Sequence, residues 1–194
     1  MKVHTALLTV FDKNGIVDFA KGLKGLGIEI ITTHGTSRVL DKAGIETRSI
    51  SDLTGYEEML GGRVKSLHPK IFGGVLADRD NPAHLKQLRE NSIEPIDLVA
   101  VNFYDLQGVS DDDEDGLLEK IDIGGPSLAR AAAKNYRNVA IVPDPVFYDE
   151  IVAELDENDC ELSKQTRRDL ATSAFAMTSE YDKKIKSKIE SLSV

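Results

Sequence analysis

Apolar residues in this chain fall in short runs, separated by stretches where they recur every three or four positions. His4–Val10 is nearly continuous and reads as a buried strand. Ile16, Phe19, Ala20, Leu23 and Leu26 then share one side of a helix that Gly27 ends. Ile28–Ile31 predicts a second strand, Ser37–Ala43 a short helix closed by Gly44, and Glu46–Ile50 another extended piece. Leu98–Phe103 and Val139–Val142 are further strands. From Ser127 the run SLARAAAKN is rich in good helix formers. The stretch from Ser163 onward is helical and polar, with Phe175, Ile185 and Ile189 expected to pack back on the body. Alternation of this kind predicts an α/β fold of three layers: a mostly parallel sheet with helices on both faces. Ligands in such sheets bind beyond the carboxyl ends of the strands.

At 194 residues and 41% hydrophobic content, one domain covering 1–194 is expected, with its helical segment from about residue 163. The net charge of −9 argues against a nucleic acid polymer as partner, but a local cationic pocket can sit on an acidic protein. Cys160 is the sole cysteine, which excludes an internal disulfide and fits a reducing, cytoplasmic setting. The apolar stretch after Lys2 and His4 is too short for a signal peptide, and no run is long enough for a membrane span. The four histidines are scattered without metal-ligand spacing, so no metal is expected. The acidic run Asp111–Asp115 reads as a solvated loop that favours the start of the following helix.

Four segments carry candidate chemistry. Ile121–Asn135 (IDIGGPSLARAAAKN) combines Asp122, a glycine pair, Arg130 and Lys134. The glycines let backbone N–H groups approach a ligand, and Pro126 fits a first helical turn. Arg130 and Lys134 share a helix face, where two cations repel unless an anion joins them. Gly61–Pro69 (GGRVKSLHP) places Arg63, Lys65 and Ser66 after another glycine pair; extended backbone would point Arg63 and Lys65 the same way. Val10–Gly15 places Lys13 in a turn after a strand, and Thr32–Thr36 opens a helix after a strand. A strand followed by a Gly/Thr-rich turn at a helix N-terminus is a recurring phosphate site. The bland alternative for each is a solvated helix face or a simple cap.

In order and spacing, these motifs resemble the inosine monophosphate cyclohydrolase domain of the bifunctional purine-biosynthesis family, a methylglyoxal synthase-like fold. TVFDK (Thr9–Lys13), THGT (Thr33–Thr36), GRVKSLHP (Gly62–Pro69), NFYDL (Asn102–Leu106) and IDIGG…RAAAKN (Ile121–Asn135) carry the resemblance, which runs from about residue 4 to residue 190. It implies closure of 5-formamidoimidazole-4-carboxamide ribonucleotide to inosine monophosphate with loss of water, without a cofactor. By the same resemblance Lys134 is the expected proton donor and acceptor. Asp122 would orient it or take a proton from the carboxamide. Lys65 would serve the phosphate and the reacting oxygen, and Tyr104 would donate to the formyl group. Lys13, Thr33, Gly35, Thr36, Arg63 and Ser66 would hold phosphate and ribose, and Asn102 and Ile123 would contact the base. Phe11, Asp12, His34, Val64, Val101 and Gly124 complete the expected substrate-binding set. Phe11 stands at a serine of the family pattern, which leaves only backbone for bonding there. His34 stands at a glycine, with a steric penalty if that position needs positive φ. The resemblance also implies a homodimer and a separate transformylase as partner.

Two other readings share the fold. A methylglyoxal synthase-like lyase acting on a triose phosphate would not need the GRVKSLHP and IDIGG segments. A non-catalytic regulatory domain that binds a nucleotide would not need Asp122, Lys65, Tyr104 and Lys134 together.

Overall fold

The computed structural model describes residues 1–103, 106, 110 and 113–192. Tyr104 lies outside these residues, as do Asp111 and Asp112 of the acidic run. The described elements are β1 (Thr5–Val10), α1 (Ile16–Gly25), β2 (Glu29–Thr32), α2 (His34–Lys42), β3 (Arg48–Ser49), α3 (Ile50–Thr54), α4 (Pro69–Leu76), α5 (Pro82–Glu90), β4 (Leu98–Asn102), α6 (Glu114–Lys120), α7 (Gly124–Lys134), β5 (Ala140–Val142), α8 (Tyr148–Glu157) and α9 (Lys164–Ser191). Short 3₁₀ turns stand at Leu60–Gly62 and Pro145–Phe147.

The named strands form one sheet in the order β3-β2-β1-β4-β5, every neighbouring pair parallel. β1 and β4, at its centre, are buried at most of their positions, as the unbroken apolar runs predict. The sheet grows outward from β1 through β2 and β3, then returns to β4 on the other side of β1. That reversal is a topological switch point between the ends of β1 and β4, where open α/β sheets keep their ligand crevice. α1 packs against α8 and α2, whereas α7 packs against α9, α4 and β4, giving the three layers.

The strands lie where the hydrophobic runs place them, with ends shifted by a residue or two. Three helical features differ from expectation. Glu46–Ile50 is strand only at Arg48–Ser49, because Ser49 starts α3 with a capping box: Asp52 N–H donates to Ser49 Oγ at 3.0 Å, and the Asp52 carboxylate accepts from Ser49 N–H at 3.2 Å. α7 begins at Gly124, so the glycine pair is its first turn rather than a loop before it. In α9 the buried stripe is Arg167, Leu170, Ala171, Ala174, Thr178 and Tyr181, and Phe175 and Ile189 face outward. Ile185 does pack, against the small cluster of Leu106, Leu117 and Tyr181. The exposed Phe175 ring is covered by the Arg130 guanidinium, 5.8 Å from its centroid.

At the opposite, amino-terminal edge of the sheet, Asp97 is buried and ties β1 to β4. It accepts from His4 N–H at 2.7 Å and Thr5 N–H at 2.9 Å, and it pairs with Arg79. No described helix is long and apolar enough to cross a membrane.

Candidate active site

The site begins with the loop after β1. Asn102, at the end of β4, turns its side chain across the switch point: Oδ1 accepts from Phe11 N–H at 2.6 Å and Asp12 N–H at 2.8 Å. Its Nδ2 donates to Asp12 O at 3.3 Å. Asn102 therefore fixes the β1–α1 loop. The loop so held places Lys13, whose ammonium donates to the carbonyls of Val10 and Phe11. Half-burial lowers the pKa of Lys13, and the nearby charge of Lys65 lowers it further while Asp12 opposes the shift. The charge of Lys65, distant in sequence, is thus felt at Lys13 at the carboxyl edge of the sheet.

α2 opens beside them. Thr33 is its cap, with its hydroxyl donating to Thr9 Oγ1 at 3.3 Å. The Thr36 hydroxyl is fully buried on the Val10 backbone, accepting from its N–H at 3.3 Å, so it anchors α2 to β1. His34 is helical, and neither His34 nor Gly35 has positive φ, so histidine at this position carries no backbone strain. A cleft of about 290 Å³ runs from Thr33, His34 and Ser37 across Ser49 and Ser51 to Tyr56, Glu58 and Lys65.

A tight hairpin forms the next wall. Met59 and Val64 pair, with Met59 N–H donating to Val64 O at 2.9 Å, and Leu60, Gly61 and Gly62 between them all have positive φ (54°, 65° and 90°). Arg63 is helical in backbone, so Arg63 and Lys65 do not share an extended face. Arg63 turns instead to Glu119 of α6, with Nη2 to Oε2 at 2.6 Å. Lys65 has no carboxylate within ion-pair distance among the described residues. Ser66 is buried, and Val64 is half-buried in the hairpin.

The floor of the larger cleft, about 480 Å³, is the start of α7. It is lined by Gly61, Gly62, Arg63, Lys65 and Ser66 on one side and by Glu119, Asp122, Ile123 and Gly124 on the other. Asp122 Oδ1 accepts from Gly125 N–H at 2.9 Å, the capping bond its place before a helix predicts. Neither glycine of the pair has positive φ; both are needed for close approach. A Cβ on Gly124 would stand 2.8 Å from Ser66 Oγ, and one on Gly125 would stand 2.8 Å from Asp122 Oδ2 and 3.1 Å from the Phe103 ring. The two clefts share Lys65 and Glu58. A third, of about 460 Å³, lies beyond Asn102 and holds Phe11, Asp12 and Phe103 against Tyr181 and Lys184 of α9.

Two expected residues are not in this group. Lys134 is the last residue of α7, exposed, and lies ten positions along the helix from Gly124, a rise of about 15 Å. A single chain therefore does not bring it to Asp122; there it offsets the negative end of the helix dipole. Val101 is buried within β4 beside Thr9 and reaches no cleft. Glu119 and Tyr181 belong to the site's surroundings, and motif reading passed over both. Tyr181 had a signal: it continues the Ala174–Thr178 stripe at helical spacing, and a buried Tyr hydroxyl requires a partner.

The sheet is parallel throughout, with polar clefts near its switch point, and residues 15–127 match the family described as MGS-like domain. Residues 132–193 match the family described as AICARFT/IMPCHase bienzyme. The chain belongs to the MGS-like domain family, whose match covers more than half of it. It is 51% identical over 184 residues to the bifunctional purine biosynthesis protein PurH of Persephonella marina, covering 94% of this chain and 36% of that protein. PurH of Streptococcus mutans is 51% identical over 180 residues, covering 91% of this chain and 35% of that protein. The chain thus spans about a third of the length of these curated relatives. The crystal structure of ForH superposes with a TM-score of 0.91 at 36% identity and 97% coverage of both chains.

Proposed function

We propose that this chain is an enzyme of purine biosynthesis, an inosine monophosphate cyclohydrolase that closes 5-formamidoimidazole-4-carboxamide ribonucleotide with loss of water. The observation that carries the reading is the cleft that brings Lys65, Ser66 and Asp122 together, with Lys13 on the neighbouring β1–α1 loop, in a chain whose residues 132–193 match the bienzyme family. The first N–H groups of α2 and the two lysines supply donors and charge for a 5′-phosphate. The carboxamide nitrogen attacks the formyl carbon and a C–N bond forms. One proton leaves that nitrogen, one leaves the formamide nitrogen, and both end on the formyl oxygen, which departs as water. An amide nitrogen is a poor nucleophile, so a carboxylate at Asp122 assists by taking its proton. The oxygen gathers negative charge as the ring closes, and a cation at Lys65 stabilises it. The reaction moves no electrons, so it asks for no redox cofactor. A homodimer in the cytoplasm and a separate transformylase that supplies the formyl group belong to the same reading.

The test is incubation of the purified chain with the formylated ribonucleotide, with and without chelator, while the purine chromophore is followed by absorbance. Chromophore at equal rates in both supports the reading. Release of methylglyoxal from dihydroxyacetone phosphate, with no purine formed, would replace it with the lyase.

A further inference from the structure

Tyr181 lies on α9, outside every motif that marks the site, and it touches three parts of it. Its hydroxyl accepts from the backbone N–H of Asp122 at 2.9 Å and faces Lys120 O at 3.5 Å. Its ring packs on Phe103 with centroids 4.7 Å apart and an interplanar angle of 59°. Phe103 in turn fills the space beside Gly125. One side chain, 6% exposed, thus joins the end of α6, the start of α7 and the residue after β4.

Asp122 stands before a helix that opens on Gly-Gly, the pair that constrains backbone least. Among the described residues, its carboxylate accepts one hydrogen bond, from the Gly125 N–H on Oδ1. The backbone that carries it is held by the Tyr181 hydroxyl. Phenylalanine would give the same ring packing on Phe103, so packing alone does not require the hydroxyl. We infer that Tyr181 is a positioning residue for the reaction: its hydroxyl fixes the peptide of Asp122 and so aims the Asp122 carboxylate into the cleft formed with Lys65 and Ser66. The inference rests on the proposed role of Asp122 in ring closure.

Tyr181→Phe, Asp122→Asn and the double variant test it in the chromophore assay. Misplacement of a reacting group by a fraction of an ångström lowers turnover without touching the phosphate contacts, so Tyr181→Phe should reduce kcat by about 10- to 100-fold and leave KM within about threefold. In the Asp122→Asn background the same change should cost nothing further, because residues that act as one unit are not additive. Hydrogen exchange at the Asp122 amide should be faster in Tyr181→Phe. Four outcomes overturn the inference while leaving the functional reading intact: kcat within twofold of wild type, a full additional loss in the double variant, unchanged amide exchange, or failure of Tyr181→Phe to fold. A wild-type chain without turnover, or Asp122→Asn at wild-type rate, would sink the functional reading and the inference together.

Discussion

Lys13 is held by two backbone carbonyls and half-buried, with Lys65 close enough to disfavour its charge. Its folded pKa therefore lies below the usual 10.5. The sign follows. Between the depressed folded pKa and the unfolded one, the unfolded chain binds more protons, so this residue's contribution to stability rises with pH across that window. A phosphate monoester favours the charged form, so binding must restore the proton. Affinity for inosine monophosphate should fall as pH rises through the lowered pKa, and calorimetry in two buffers should show proton uptake on that limb. A Kd that stays flat to pH 10.5 would remove Lys13 from the anion site. Arg63 makes a second residue-level case. Its motif marks it as a candidate phosphate ligand, and its partner here is Glu119, which no motif marks. Both side chains are exposed and line the cleft, so the pair competes with the ligand for the guanidinium. Glu119→Gln should tighten inosine monophosphate binding by about two- to fivefold, the scale of an exposed ion pair. Weaker binding in that variant would show that Glu119 aids recognition.

At the scale of elements, α7 joins two demands that the sequence states in one motif. Its first turn must come close to Ser66, Asp122 and Phe103, and its Ala face must pack under α9 and α4. Gly125→Ala sets helix propensity against that approach. Alanine is favoured over glycine in a helix by roughly 0.8–1 kcal/mol, but the new methyl would meet Asp122 Oδ2 at 2.8 Å. Turnover should drop by tenfold or more, with a melting temperature within a few degrees of wild type. A variant that melts much lower yet keeps wild-type turnover would mean that the glycine serves packing only. The same element shows where motif reading misleads. RAAAKN lies in one motif with IDIGG, but a helix separates its ends in space, and adjacency in sequence does not bring Lys134 to Asp122. The 3.6-residue periodicity contained that information, since the run was already helical in prediction. What it lacked was the start, because Gly-Gly reads as a turn until close neighbours explain it.

At the scale of the whole molecule, the parallel order and the location of the clefts were legible because buried strands declare themselves as unbroken apolar runs. The approach of Lys65 to Lys13 was not legible, since no predicted strand leads into the hairpin that carries Lys65. The Asn102 clamp, the Thr36 anchor and the Tyr181 contact were not legible, since each depends on which backbone N–H lacks a partner after the chain is folded. The far edge of the sheet shows the same logic in stability. Asp97 is buried, accepts two backbone N–H groups and pairs with Arg79, whose own Nε is buried without a partner. Asp97→Ala strands that guanidinium and should cost about 3–5 kcal/mol, lowering Tm by roughly 10 °C in a chain of this size. The site lies at the opposite edge of the sheet, so turnover measured well below the melting range should be little changed. A loss of activity without loss of stability would contradict this division of labour between the two edges.

In the proposed reaction, ring closure occurs in the cleft where Asp122 faces Lys65 and Ser66. Its most direct test is the rate of purine chromophore formation from the saturating formylated ribonucleotide, measured for the wild-type chain and for Asp122→Asn side by side. The amide keeps the size of the carboxylate and an oxygen for the Gly125 N–H, so the fold is preserved while the base is lost. The account predicts turnover in the wild type and a loss of about 10²–10⁴ in the variant, the usual contribution of a general acid or base. Equal rates for the two chains, or no chromophore from the wild type, would contradict it.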